Sequence, residues 1–296
     1  MGRKSSKLFV GMDVHKESID ITLAEEGGEV RHYGRIGGEQ SALIRTVRKL
    51  ESLGKSLVFV VRAREDAVAT QRQARHRLAA LLLRNDIRYS GKTAWTEAHR
   101  RWIARLYLPG ATQRIEFEEY VMTVDEATAS VQRLTASMEQ ELVHWRWQPV
   151  VHALQACRGI QLIHAVRIVA EVGDLSRFSH PRQLMAYLGL IPSEDSSGER
   201  RRQGPITKAG NRSARRALVE AAWAYRHHAA VSPIIVRRQT GLAKPVLDIA
   251  WKAQLRLCAR FRRLSARGIN RNKIVVAIAR ELAGFVWAIG QRVKLD

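Results

Sequence analysis

Residues 57–84 read LVFVVRAREDAVATQRQARHRLAALLLR, and the fold turns on where the first five belong. Leu57–Val61 is a continuous run of apolar, mostly β-branched and aromatic residues, the pattern of a strand buried on both faces of a parallel sheet. From Arg62 onward the composition predicts a basic helix. Upstream, Leu8–Asp13 (LFVGMD) reads as a strand ending in an acid, Ile19–Ala24 as a second and Glu29–Ile36 as a third, with Gly27–Gly28 supplying a turn. This is the punctuation of an antiparallel meander. Glu39–Leu53 carries Leu43, Val47 and Leu50 at helical spacing, with Gly54 where a helix C′ residue belongs. Three antiparallel strands, a helix and a parallel strand open an RNase H-like α/β fold. Such a sheet needs a fifth strand, yet strand pattern stops at Val61, and a truncated sheet exposes an edge: either a partner covers it or the domain is incomplete.

Downstream the pattern is helical. Residues 93–106 predict a helix with Trp95, Ala98, Trp102 and Leu106 on one face, broken at Pro109–Gly110. Phe117, Tyr120, Val124, Ala127, Val131, Leu134 and Met138 then recur at alternating spacings of three and four, a heptad stripe. It suits either an ordinary buried face or a long antiparallel arm that favours self-association. Pro149 opens a mainly helical domain. Residues 150–156 and 161–172 flank Gly159 like a helix-hairpin-helix, which offers backbone N–H groups to a phosphate. Gln161 stands where a second glycine would be expected, so plain helix packing is the alternative. Further helices are predicted over 213–223, 245–265 and 270–290. The fold class is thus α/β plus mostly α, with boundaries at 1–61, 62–148 and 149–296.

The 296 residues include 50 Lys and Arg against 28 Asp and Glu, a net charge of +22, with 46% hydrophobic residues. That apolar content supports real cores and excludes wholesale disorder. The excess charge is clustered over residues 72–105, 200–216 and 237–273, which points to a nucleic-acid partner. Cys157 and Cys258 cannot build a disulfide framework or a four-cysteine zinc site and fit a reducing cytoplasm. No stretch approaches the ~18 uncharged apolar residues of a membrane span, so no membrane association is expected.

Two places could carry chemistry. Asp13, at the tip of the first strand, sits where RNase H-type nucleases place a Mg²⁺ ligand. Two such ions need roughly three or four converging carboxylates. Glu65 and Asp66 follow Val61 closely but fall in a segment that reads as helix. The second place is Ser196–Ser197–Gly198, followed by Arg200, Arg201 and Arg202. A loop hydroxyl can attack a phosphodiester while neighbouring guanidiniums neutralise the phosphorane. Ser90–Gly91–Lys92–Thr93 is no phosphate loop, because Asp86 stands where its first glycine is required. The ten histidines show no metal spacing, and the tryptophans sit mostly among apolar residues at helical spacing.

The segments VGMDVHKESIDITLAEEGGEVRHYGRI and LQACRGIQLIHAVRIVAEVGDLSRFSHPRQLMAYLGLIPSEDSSGERRRQGPITKAGNRSARR, with VRAREDAV and TAWTEAHRRWIARL between them, resemble the DEDD-type insertion-sequence transposases of the IS one-ten family, also called bridge-RNA-guided recombinases. The resemblance implies a RuvC-like N-terminal domain, a helical arm and a C-terminal transposase domain. It implies that Asp13 is the first metal-binding acid and Ser197 the nucleophile, with Ser196 one place off in register. It further implies a Mg²⁺ cofactor, DNA and a structured guide RNA as partners, and bacterial cytoplasmic, nucleoid-associated localisation. Arg200, Arg201, Arg202, Lys208, Asn211 and Arg215 are the expected nucleic-acid contacts. Where the family carries a Glu-containing segment and a later pair of aspartates, LVFV here joins VRAREDAV directly. That reads as an internal deletion in the RuvC-like domain. The expected function is a DNA recombinase impaired by loss of its acids, working as a homo-oligomer or in a mixed oligomer with full-length transposase. The alternative is an inactive DNA- or RNA-binding remnant.

Overall fold

In the computed structural model the described residues are 8–15, 17–25, 31–39, 41–44, 46, 56–194 and 203–295. Strands β1 (Leu8–Val14), β2 (Ser18–Glu25) and β3 (Arg31–Gly37) form the expected antiparallel meander in the order β1-β2-β3. Asp13 faces Asp20 across the first pair, and Asp20 faces Arg35 across the second. Ile19 and Ile21 are buried while Asp20 and Thr22 are half-buried, the two-residue period of a strand with one covered face. Residues 41–44 and 46 are helical, and the Thr46 hydroxyl donates to the Ala42 carbonyl at 2.9 Å.

The expected fourth strand is not a strand. Leu57–Val61 forms the opening of helix α1 (Ser56–Arg84). Burial follows a helical period, with Leu57 and Val61 covered and Phe59 between them 50% exposed. An apolar run of five residues has no intrinsic period, and the helix formers downstream propagate back through it.

The chain divides into two compact units, Phe59–Glu141 and the remainder, Met1–Val58 with Leu142–Asp296. In the first unit, α1 runs antiparallel to α3 (Ala111–Leu142). Arg64 Nε donates to Thr135 Oγ1 at 2.7 Å, Gln71 Nε2 to Thr128 Oγ1 at 3.0 Å, and Arg84 pairs with Glu116 at 3.2 Å. The first two links are one heptad apart on both helices. Thr128 and Thr135 each donate to the carbonyl four residues back, so each hydroxyl is used as donor and acceptor. A short helix α2 (Glu97–Ile103) completes a cluster around Leu78, Leu81, Ile103, Leu108 and Phe117. Trp95 precedes α2 with φ of 64°, so the predicted helix over 93–106 is shorter than the sequence suggests. The heptad stripe is filled within the chain: Phe117, Val124, Ala127 and Met138 are buried, while Tyr120, Val131 and Leu134 are half-buried.

Residues 142–295 are built of helices α4 (Gln148–Leu154), α5 (Leu162–Val172), α6 (Pro181–Tyr187), α7 (Arg212–Ala222), α8 (Pro233–Gln239), α9 (Lys244–Ala266) and α10 (Arg271–Gly290). Helix α10 packs against α4, α6, α7 and α9. It buries Ile274, Ile278, Leu282, Val286 and Ile289, and each such side chain contributes roughly 1.5–3 kcal/mol by leaving water. Between α4 and α5, Gly159 has φ of +83°, and a Cβ there would run into the Ala221 carbonyl. Arg238 and Gln239 donate to the Ile160 and Ala156 carbonyls at 2.8 and 3.3 Å. These contacts pack the turn against α7 and α8. Between α6 and α7 two short strands, β4 (Pro192–Glu194) and β5 (Gln203–Ile206), pair antiparallel, which strand patterning missed because neither is long enough to alternate. No helix among the described residues is long and apolar enough to cross a membrane.

Candidate functional site

Residues 195–202, with Ser196, Ser197, Arg200, Arg201 and Arg202, are joined by the chain to β4 on one side and β5 on the other; they lie outside the described residues. What the structure describes is the frame. The stretch after β5 is tied to the turn after α6. Thr207 N–H donates to the Ile191 carbonyl at 2.9 Å and Lys208 N–H to Gly189 at 3.1 Å. Gly189 and Gly210 have φ of +62° and +76°, and a Cβ on either would collide with a backbone carbonyl, Ala209 or Tyr187 respectively. Only glycine lets the two backbones approach this closely.

Two of the expected nucleic-acid contacts are engaged inside this frame. Asn211 caps α7 by accepting from the Ala214 N–H at 2.9 Å, and its amide donates to Glu171 Oε2 at 2.6 Å. Arg215 donates to the Leu188 and Ala209 carbonyls at 2.9 and 3.1 Å. Burial, then the neighbouring charge of Arg212, lowers its pKa. Lys208 is exposed, with φ of 55°.

A second polar network ties α5 to α7. Arg167 donates to Ser213 Oγ at 2.9 Å, and Glu220 receives Arg216 at 2.8 Å, His164 at 3.5 Å and Arg167 at 3.6 Å. Burial pushes the Glu220 carboxyl up, but Arg216, Arg167 and His164 together outweigh it and hold it below its ordinary value. Sequence reading missed Glu171 and Arg167. The signal was present: two charges four residues apart inside the otherwise apolar LIHAVRIVAEV.

Asp13 lies at the exposed tip of β1, its side chain 78% accessible. His15 Nε2 lies 3.5 Å from Asp13 and 3.9 Å from Asp20. Asp20 is gripped by Arg35, whose Nε reaches both carboxylate oxygens at 3.1 and 3.0 Å and whose Nη2 lies 2.9 Å from one of them. Mg²⁺ demands several convergent oxygens in octahedral geometry. Here the carboxylate facing Asp13 is already neutralised by a guanidinium, and no group of three or more His, Cys, Asp or Glu among the described residues could hold a metal. The described donors do not fit a Mg²⁺ centre. Glu65 and Asp66 lie on α1, in the other compact unit.

Comparison with known proteins fits this frame. The model described as the Transposase IS116/IS110/IS902 family matches residues 151–233, which contain α5, α6, the β4–β5 hairpin and α7. Over 97% of its length the chain is 42% identical to the y4qE protein of Sinorhizobium fredii, named as a candidate transposase, and covers 89% of that protein. The transposase for insertion sequence element IS1533 of Leptospira borgpetersenii is 27% identical over 65% of this chain and 56% of its own. The transposase for insertion sequence element IS1111A of Coxiella burnetii is 32% identical over 46% of this chain and 31% of its own. The chain therefore belongs to the IS116/IS110/IS902 family of insertion-sequence transposases.

Proposed function

We propose that this transposase acts on insertion-sequence DNA through the hydroxyl of Ser197, and that alone it is impaired in strand transfer. The carrying observation is the frame: a serine-containing segment spliced into a paired hairpin whose base is pinned at Gly189, Gly210, Asn211 and Arg215. A nucleophile needs such a rigid mount, because small misplacements cost large factors in rate. In the proposed step Ser197 Oγ forms a bond to phosphorus while the phosphorus bond to one deoxyribose oxygen breaks. The serine proton passes to solvent and the leaving oxygen takes one up. Arg200, Arg201, Arg202 and Lys208 neutralise the phosphate, and Asn211 and Arg215 position the frame.

The proposed impairment rests on the acids. A metal centre of the kind the family resemblance implies would need carboxylates beyond Asp13, and the described ones do not assemble it. The alignment with y4qE supports an internal deletion. It spans 360 positions, but 97% of 296 residues is about 287, so roughly 70 positions have no residue of this chain opposite them. On this reading the chain works in a mixed oligomer with full-length transposase, together with a structured guide RNA. The net charge of +22 also favours the second reading, a remnant that binds DNA or RNA without chemistry.

The test is strand transfer on supercoiled donor DNA with Mg²⁺, with covalent protein–DNA adducts measured in parallel. The lone chain is expected to transfer nothing. Added full-length transposase lacking its own nucleophilic serine should restore transfer and an adduct on this chain, abolished by Ser197→Ala. Transfer by the lone chain that vanishes in Ser197→Ala overturns the impairment. An adduct that survives Ser197→Ala but not Ser196→Ala moves the nucleophile, and no adduct in any mixture leaves the binding remnant.

A further inference from the structure

The β4–β5 hairpin forms one wall of a groove of about 1010 Å³. Pro192, Gly204, Pro205 and Ile206 of the hairpin face His180, Pro181, Arg182 and Met185 around the start of α6, and α9 and α10 close the other side. Along α10, Lys273, Val276, Ala277 and Arg280 line it at positions i, i+3, i+4 and i+7, one helical face with an apolar middle and a cation at each end. Seven residues of helix separate those cations by roughly 10 Å along the axis.

Among the described residues the charges on the rim are not balanced from within. The one carboxylate among the described lining residues, Glu281, is held by Arg256 at 2.8 Å and Arg260 at 2.6 Å. Arg182, Lys273 and Arg280 have no ion-pair partner among the described residues. Three cations without an ion-pair partner among the described residues, around an apolar floor, complement a ligand that is anionic along one edge and apolar along the other. A nucleic-acid strand is built that way, with phosphates on one side and sugar and base faces on the other.

Size and chemistry narrow the occupant. The volume equals a box about 10 Å on edge, too small to enclose a duplex, of which the major groove alone is roughly 12 Å wide, whereas a single strand fits. The floor of Val276, Ala277, Ile206 and Pro192 is apolar. A ribose there would bury its 2′-hydroxyl against carbon, a cost deoxyribose escapes. We propose that this groove binds an unpaired DNA strand and leads it along the hairpin from which residues 195–202 extend. The inference rests on the proposed transposase reading for its choice of DNA, and it adds residues of α9 and α10 that lie beyond the matched family region of 151–233.

The experiment is fluorescence anisotropy of the full chain with a labelled single-stranded DNA, its duplex and the RNA of the same sequence, across a salt series. The variant Arg182→Gln/Lys273→Gln/Arg280→Gln is compared with Arg133→Gln/Arg292→Gln/Lys294→Gln, three exposed cations outside the groove. The groove variant should lose at least about ten-fold more single-strand affinity than the control, and its log–log salt slope should shrink by about 2, given roughly 0.7 per phosphate contact. Equal losses in the two variants overturn the proposal, as does a groove variant that loses as much affinity for the RNA or the duplex as for single-stranded DNA. Should the triple variant unfold early in a thermal scan, Lys273→Gln alone must still lower the slope by about 0.7; an unchanged slope there also sinks it. Binding needs no chemistry, so intact groove binding without any serine adduct would count against Ser197 and leave the groove standing.

Discussion

In the unit Phe59–Glu141, α1 and α3 meet along a seam where Arg64 and Gln71 reach across to Thr135 and Thr128, whereas the buried face of α10 in the helical bundle is Ile, Val, Leu, Ala and Gly, with its ion pairs from Glu281 to Arg256 and Arg260 outside that face. Two helices cannot cover their seam from the sides, so Tyr120, Val131 and Leu134 remain half-buried and water reaches the cross-links. Polar pairs are cheap there and serve to set register. Helix α10 is surrounded by four others, and a polar intruder would need a partner of its own. Three buried polar side chains of the bundle have one: Gln254 donates to the Ala230 carbonyl at 3.0 Å, Glu171 accepts from Asn211, and Arg167 donates to Ser213. Water, more than helix length, decides which residues each region tolerates.

The hardest blow to this contrast would come from core truncations. Leu282→Ala in α10 should cost about 2–5 kcal/mol in denaturant unfolding of the full chain. Val131→Ala in the arm should cost below about 1.5 kcal/mol, since a half-buried methyl loses less. Equal costs would erase the distinction. Next comes the frame of the hairpin. Gly210→Ala, at a φ of +76° and facing the Tyr187 carbonyl, should destabilise by about 1–3 kcal/mol; a neutral result would mean that backbone contact is soft.

Replacing the arm's cross-link by Arg64→Met with Thr135→Val should change stability by less than about 1 kcal/mol. A loss several times larger would make the seam polar by necessity. In the bundle, Tyr225 is fully buried and its hydroxyl has no hydrogen-bond partner among the described residues. Tyr225→Phe should therefore stay within about 0.5 kcal/mol of wild type or gain slightly, and a clear loss would reveal a partner. The smallest effect is chemical. Burial, opposed weakly by Arg238, pushes the Cys157 thiol up to about 12. Iodoacetamide at pH 8 should leave it unmodified until urea unfolds the bundle. Because the unfolded thiol ionises first, Cys157 costs no stability below its ordinary value of 9.0, and stability should decline as pH rises from there toward about 12.

The meander was legible because glycine punctuation and alternation are local, and α7 because its apolar spacing lies within a dozen residues. The heptad stripe was legible as a stripe but silent about its partner: the same spacing suits another copy or α1, and the register became visible only when Thr128 and Thr135 met Gln71 and Arg64. At the candidate site, Ser197 and its arginines could be named from composition and resemblance. Nothing local revealed that Asn211 and Arg215 point back into the protein, because their acceptors, Glu171 and Leu188, lie 40 and 27 residues away.

From residue order alone came the expectation of a polyanionic partner, the hairpins of the meander, most helices and the resemblance to insertion-sequence transposases. The state of Leu57–Val61 was settled only in three dimensions. A strand must borrow hydrogen-bond partners from another segment, and none of the three described strands of the meander pairs with this one. A helix satisfies its backbone N–H and C=O groups from within, so an apolar run left without a neighbouring strand folds into the helix that follows it.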